Sequence, residues 1–222
     1  MNHWQLLTDQ SYSSLPSAKL EGRTAFLLLG SERSPLLLRE ALRGMKAPWQ
    51  LPMMAGQTEG ADCVWAAEMG SGGTPAATLM AGEGSSATMV FADDEQLQLL
   101  EQFAGSQAWM AKLPECRFVG SSGESWEAPV ALAPWSGVLK VKGRPRLVSS
   151  TALSDHPEPM MMIEVADWLC RKAREAGMEL YTPSDLQKAC ADTSERARLV
   201  AVMQPSLSHQ LQIEDLQNPA AG

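Results

Sequence analysis

"RTAFLLL", from Arg23 to Leu29, is a continuous apolar run of strand length. Leu37, Leu38 and Leu42 then recur at helical spacing after a short polar turn. The first pattern predicts a strand covered on both faces, and the second a helix with one apolar face. Gly30 ends the run, Ser34 is placed to cap the helix, Pro35 suits its first position and Gly44 stands where a C-cap belongs. The unit returns in "ATMVFADDEQLQLLEQFAG". Here the pattern predicts a strand from Ala87 to Ala92, a cap at Asp93 or Asp94, and a helix with Leu97, Leu100 and Phe103 on one face, closed by Gly105. Two strand-then-helix units predict an α/β (α+β) fold in which a mixed N-terminal sheet carries packed helices.

Between these units, Ala47 to Gly60 holds two prolines, Trp49 and the Met53-Met54 pair, and reads as a loop or short irregular strand. "DCVWAAEM" fits a strand or a short helix, while "GSGGTP" and "GEGSS" read as flexible breaks. "CRFVGS" and "GVLKVKGRPRLVSS" have strand character, the latter with a hairpin turn about Lys142 and Gly143. The proline-bearing stretch Asp155 to Pro159 is the best domain boundary. It divides an α/β lobe, residues 1–154, from a smaller all-helical lobe, residues 155–222. In the second lobe Pro159 marks a helix start, with Met161, Val165, Trp168 or Leu169, and Ala173 on one stripe. Thr182, Pro183 and Asp185 form a capping-box start for the next helix, a third covers Ser194 to Met203, and the tail reads as a fraying last helix.

Composition narrows the function classes. Of 222 residues, 45% are hydrophobic and 20% charged, as in a globular protein with a core of ordinary size. A net charge of -8 disfavours nucleic acid and anionic lipid unless a local basic patch overcomes it. Lys140, Lys142, Arg144 and Arg146 alternate, which predicts one basic ribbon face, and a solvated face that resists edge pairing explains them better than a phosphate or an acidic partner does. No basic, apolar leader opens the chain and no window reaches the length of a spanning helix, so a cytoplasmic location is expected. Cys63, Cys116, Cys170 and Cys190 lie 53, 54 and 20 residues apart, a spacing of buried thiols and not of a zinc site.

Chemistry is thinly signalled. "GSERSP" lacks the lysine and glycines of a phosphate loop, and neither Ser31 nor Ser34 has the flanking glycines of a nucleophile elbow. Neither glycine-rich stretch matches a dinucleotide fingerprint. A serine hydrolase would have to pair Ser31 or Ser71 with the distant His156, one of only three histidines. Asp93, Asp94 and Glu95 are already explained as a helix start. No catalytic residue, cofactor or metal is therefore expected. Seven tryptophans and 13 methionines, against four phenylalanines and two tyrosines, read one by one as the filling of an irregular core, and their excess also suits a surface that grips another protein. The candidate contacts are Met160, Met161 and Trp168 at the domain boundary, with Trp49, Met53 and Met54 in the proline-rich loop as a second patch.

In its order of parts the chain resembles the adaptor chaperones of type VI secretion. The resemblance is carried by "AFLLLGSERSPLLLREAL", "PMMAGQTEGADCVWAAEM", "TMVFADDEQLQLLEQFAGSQAWMAKLP" followed by "CRFVG", and the later "AREAGMELYTPSDLQKAC". Such adaptors commonly carry an aromatic, Arg-containing segment after the "LP" turn, which "RFVGSSGESW" matches only in part. The resemblance implies no catalysis, an α/β lobe before a helical one, and a secreted effector protein bound on apolar surface and passed to the secretion spike. An immunity protein that neutralises a basic toxin is the alternative that the acidic charge suggests.

Overall fold

The computed structural model describes residues 4–15, 18–28, 33–46, 48–69, 75–104, 108–134, 137–155, 157–203 and 214–215. Along the first half run β1 (Trp4–Thr8), β2 (Tyr12–Leu15), β3 (Thr24–Leu28), α1 (Pro35–Ala41), β4 (Gln50–Glu59), β5 (Ala61–Met69), β6 (Pro75–Ala81), β7 (Ser86–Ala92) and α2 (Asp94–Ala104). There follow β8 (Ala108–Lys112), β9 (Arg117–Gly120), β10 (Ser125–Glu127), β11 (Val130–Pro134), β12 (Lys140–Val141), β13 (Arg144–Pro145), β14 (Leu147–Val148) and β15 (Pro159–Met160). Helices α3 (Met162–Glu175), α4 (Pro183–Ala191) and α5 (Thr193–Met203) come next, and β16 (Glu214–Asp215) is last. The class is α+β, with the helices gathered mostly in the C-terminal part.

Two sheets organise the chain. The larger has the order β10-β9-β4-β7-β3-β11-β8-β16, with β1 added along the start of β4 and β2 along β1. All its pairs are antiparallel except β3–β11. The smaller has the order β15-β14-β5-β6. Both faces of the larger sheet are buried, which is why β3 and β7 read as unbroken apolar runs. Phe26, Leu28, Leu51, Met53 and Val90 pack beneath Leu38, Ala41 and Leu42 of α1 and Leu100 of α2. Leu27, Met54, Met89, Phe91 and Phe118 share the opposite core with Cys63, Trp65 and Leu79 of the smaller sheet and with Val165, Trp168, Leu186 and Leu199 of α3 to α5.

The two sheets are joined by one bent hairpin. β4 passes through Gly60 into β5, and β6 passes through Gly82 to Ser85 into β7, so that Gln57 pairs with Ser86 and Ala61 with Ala81. Three residues on one side therefore face four on the other, a bulge that turns the ladder from one sheet to the next. A buried polar cluster holds the bend. Thr58 Oγ1 donates to the Ala61 carbonyl at 2.8 Å and accepts the Ser85 N–H at 2.9 Å, and Ser85 Oγ accepts the Cys63 N–H at 2.8 Å. Asp62 Oδ1 accepts the Gly84 N–H at 2.8 Å. Gly84 has φ +144°, and a Cβ there would lie 2.1 Å from the Thr58 carbonyl oxygen. "GEGSS" is thus a hydrogen-bonded corner and not a hinge.

Several sequence expectations are corrected. The proline-rich segment is a full strand, β4, because Pro52 falls where only β1 pairs with it, before β7 joins at Met53, so the ladder loses no bond on the β7 side. "DCVWAAEM" is the strand β5. Helix α1 ends at Ala41, with Leu42 as its C-cap at φ -91°, rather than running to a cap at Gly44. Pro159 begins the short strand β15, and α3 starts three residues later. In the tail, Glu214 and Asp215 pair as a strand with β8 instead of forming helix; the remainder of the tail, Gly30, Gly105 and most of "GSGGTP" lie outside the described residues. The capped start at Thr182 is as expected, with Thr182 Oγ1 accepting the Asp185 N–H at 3.2 Å. So is the Asp93 cap, where Oδ1 accepts the Gln96 N–H at 2.9 Å.

At the corner, Gly84→Ala is expected to lower the unfolding free energy by about 3 kcal/mol and Thr58→Val by about 2 kcal/mol, read from urea unfolding. A Gly84→Ala protein as stable as the parent would show that the corner yields freely. Asp62 gives a pH signature. Burial raises its carboxyl above the ordinary value, with Glu83 nearby adding to the effect and the Gly84 N–H opposing it. The folded state therefore holds this proton more tightly than the unfolded chain, and stability falls as pH rises through the folded pKa. Asp62→Asn keeps an acceptor for Gly84 without the charge. Its stability should match or exceed the parent at about pH 7, with the difference shrinking toward about pH 4.

Candidate interaction surface at the start of α3

Helix α3 buries Val165, Ala166, Trp168, Leu169, Cys170 and Ala173 against the smaller sheet. Its first turn overhangs that core. Met161, Met162 and Ile163 are 53%, 48% and 50% exposed, three apolar neighbours in a row. Single exposed apolar residues are ordinary, but three large ones in succession at one helix start are not. The entry to the turn is firmly held. The Met160 carbonyl accepts the Trp65 Nε1–H at 2.8 Å and the Ser149 N–H at 3.2 Å, and the Leu147 N–H donates to the Glu158 carbonyl at 3.3 Å. Arg146 pairs with Glu158 beside it. Glu164 reaches back so that its Oε2 accepts the Met161 N–H at 2.6 Å.

This turn is locally expensive. Met161 occupies the N-cap position, where Ser, Thr or Asp would satisfy a helix N–H and be worth about 1 kcal/mol more. The chain also leaves three large apolar side chains half exposed, where burying the remainder would contribute about 1 kcal/mol each.

Of the six contacts expected from sequence, Met161 is exposed and Met160 half-buried. Trp168, Trp49, Met53 and Met54 are core residues. Met53 and Met54 are neighbours in β4, so they point to opposite faces of the larger sheet and enter different cores. Trp49 lies in the core under α1 and α2, and Trp168 sits on the buried stripe of α3. The free fold therefore brings only Met160 and Met161 of the set to the surface. Sequence reasoning missed Met162 and Ile163. A signal for Ile163 was present: it precedes Asp167 and Arg171 at steps of four, on the polar ridge of the helix rather than on the buried stripe. Among the residues whose burial is described, Trp4 and Trp126 are half-buried tryptophans, and they flank Phe91 with ring centroids 5.2 and 6.2 Å away.

The chain matches no family model, no curated protein and no solved structure.

The basic hairpin does not form one face. Lys140 pairs with Pro145 and Val141 with Arg144, so Lys140 and Arg144 lie on opposite sides of the two-strand ribbon, with Lys142 and Gly143 at positive φ in the turn. Arg146 is engaged by Glu158. Ser31, Ser71 and His156 lie outside the described residues, among which no group of three or more His, Cys, Asp or Glu is placed to hold a metal. No helix among them is long and apolar enough to cross a membrane.

All four cysteines are buried. Burial, reinforced by Glu127 and Glu59, pushes the Cys116 thiol up to about 12, and burial likewise raises Cys170 and Cys190. Thiolate is the reactive form, so these groups are inert in the fold. A chromogenic thiol reagent at about pH 8 is expected to titrate no cysteine in the native protein and all four after denaturation. Rapid native labelling would show that the helical layer opens.

Proposed function

We propose that this protein is a non-catalytic cytoplasmic adaptor that holds another protein through the exposed first turn of α3. The partner that best fits the order-of-parts resemblance is a secreted effector on its way to a type VI secretion spike. The observation that carries the reading is the exposure of Met161, Met162 and Ile163 on a rigidly anchored turn. Methionine suits such a surface because its side chain is flexible and polarizable and can adapt to a partner. The local cost of the turn supports the same reading, since departures from local sequence rules concentrate at functional sites.

Stability and binding should move in opposite directions at this turn. Met161→Ser supplies a better cap and is expected to leave the protein as stable as the parent or up to about 1 kcal/mol more stable. Co-expressed with the products of adjacent genes, the parent should retain one of them through purification. Met161→Ser combined with Met162→Ser and Ile163→Ser should lose it while unfolding at or above the parent's urea midpoint. Retention of no neighbour by the parent, or equal retention by the triple variant, would overturn the adaptor reading.

A further inference from the structure

Resting on the adaptor reading, the geometry points to one kind of occupant for this surface: a cationic amphipathic helix of the partner, laid with its apolar face on Met161, Met162 and Ile163. Two routes of peptide capture compete at such a place, addition of a strand to a sheet edge and seating of a helix on an apolar face. Among the described residues β15 is the outer strand of the smaller sheet, so the first route has to be weighed. Met160 turns its carbonyl to β14, where Ser149 donates to it, so Pro159 and Met161 turn their backbone groups outward. Proline has no N–H to offer, and the Met161 N–H is already given to Glu164. The outward edge therefore presents no donor to an incoming strand, and apolar contact is the means of capture that remains.

Charge selects among helices. From Leu147 to Cys170 the chain carries four carboxylates, Asp155, Glu158, Glu164 and Asp167, and no lysine or arginine. All four are exposed. Asp167 stands one turn beyond Ile163 on the same face of α3. Arg146 pairs with Glu158 and so takes up that carboxylate, Arg33 donates from Nη2 to the Ser150 carbonyl, and Arg171 stands one turn beyond Asp167 on α3. An apolar turn followed on its own helix by Glu164 and Asp167, in a chain of net charge -8, favours a partner that pairs an apolar stripe with lysines or arginines and repels one with an acidic rim.

The test uses the full chain and two synthetic helices of about 14 residues with leucines at i, i+3, i+4 and i+7, the intervening positions being lysine in one and glutamate in the other. Fluorescence anisotropy of the labelled peptides should show binding of the Leu/Lys helix and none of the Leu/Glu helix. Met162→Ser with Ile163→Ser should weaken the Leu/Lys helix about tenfold or more, and Asp167→Asn by about threefold with a shallower salt dependence. Circular dichroism checks that both variants keep the parent's fold. Leu/Lys binding that ignores Met162→Ser with Ile163→Ser would be unspecific attraction to an acidic chain and would overturn the inference. Failure of the parent to bind either peptide would overturn it as well. Equal binding of both peptides, each lost in that variant, would overturn the choice of a cationic partner while leaving the adaptor reading in place. Loss of the adaptor reading alone would show instead as a neighbouring gene product retained equally by the parent and the serine variants.

Discussion

Thr58, Asp62, Gly84 and Ser85 decide where one sheet ends and the other begins. A single extra residue between Ala81 and Ser86 turns one long hairpin into parts of two sheets. Met54 and Met89 in one sheet then face the same core as Cys63, Trp65 and Leu79 in the other. A slip of one residue on either side would exchange the faces of β5 and β6 and send Val64 and Met80 where Cys63 and Leu79 now sit. The helices α3 to α5 would lose the floor they pack on. Register is fixed by buried polar groups that satisfy one another: the Ser85 N–H is met by Thr58, the Cys63 N–H by Ser85 and the Gly84 N–H by Asp62. Leaving any one buried and unmatched costs about 1–3 kcal/mol, more than the bond itself contributes when made. That asymmetry makes the corner a selector of one arrangement rather than a general source of stability.

Glycine serves the larger sheet in a similar way. Gly56 lies beneath the ring of Phe118, where a Cβ would come within 2.5 Å of the ring, and Gly120 beneath the Met54 sulfur, at 2.3 Å. Two strands that lack side chains at these points are covered by large side chains from their neighbours, which restores packing that glycine alone would forfeit. This is also why β4 was hard to see in the sequence. Proline and glycine inside "QLPMMAGQTE" are local signals for a loop, and their compensation comes from β1 and β9, far away in the chain. By contrast β3, β7 and the start of α4 were legible. Their evidence is contained within a few residues: an unbroken apolar run in the strands, and Thr182, Pro183 and Asp185 at the helix start.

The candidate site was half legible for a related reason. Burial of a methionine is a property of layers and not of its neighbours in sequence. Met53 and Met54 look like a pair set in a loop, yet the alternation of a strand sends them into separate cores on the two sides of the larger sheet. Trp49 and Trp168 complete those cores. The abundance of tryptophan and methionine thus reflects in large part the filling of two irregular interiors, for which long, adaptable side chains are suited. Met161 differs because it sits where β15 gives way to α3, ahead of the first residue that the helix can bury, Val165.

That position explains how an exposed apolar turn coexists with an ordered fold. A helix that began at Val165 would have no apolar excess. The three residues before it add a turn that the core does not need, capped by Glu164 rather than by a hydroxyl at Met161. The same carboxylate that steadies the turn also consumes the outward N–H of the strand edge, and Pro159 removes the other. An unprotected edge beside exposed methionines would invite indiscriminate pairing with other chains. With the edge closed, affinity for a partner must come from the shape of three apolar side chains and the charge around them. Those are terms that can discriminate between partners, which backbone pairing by itself cannot.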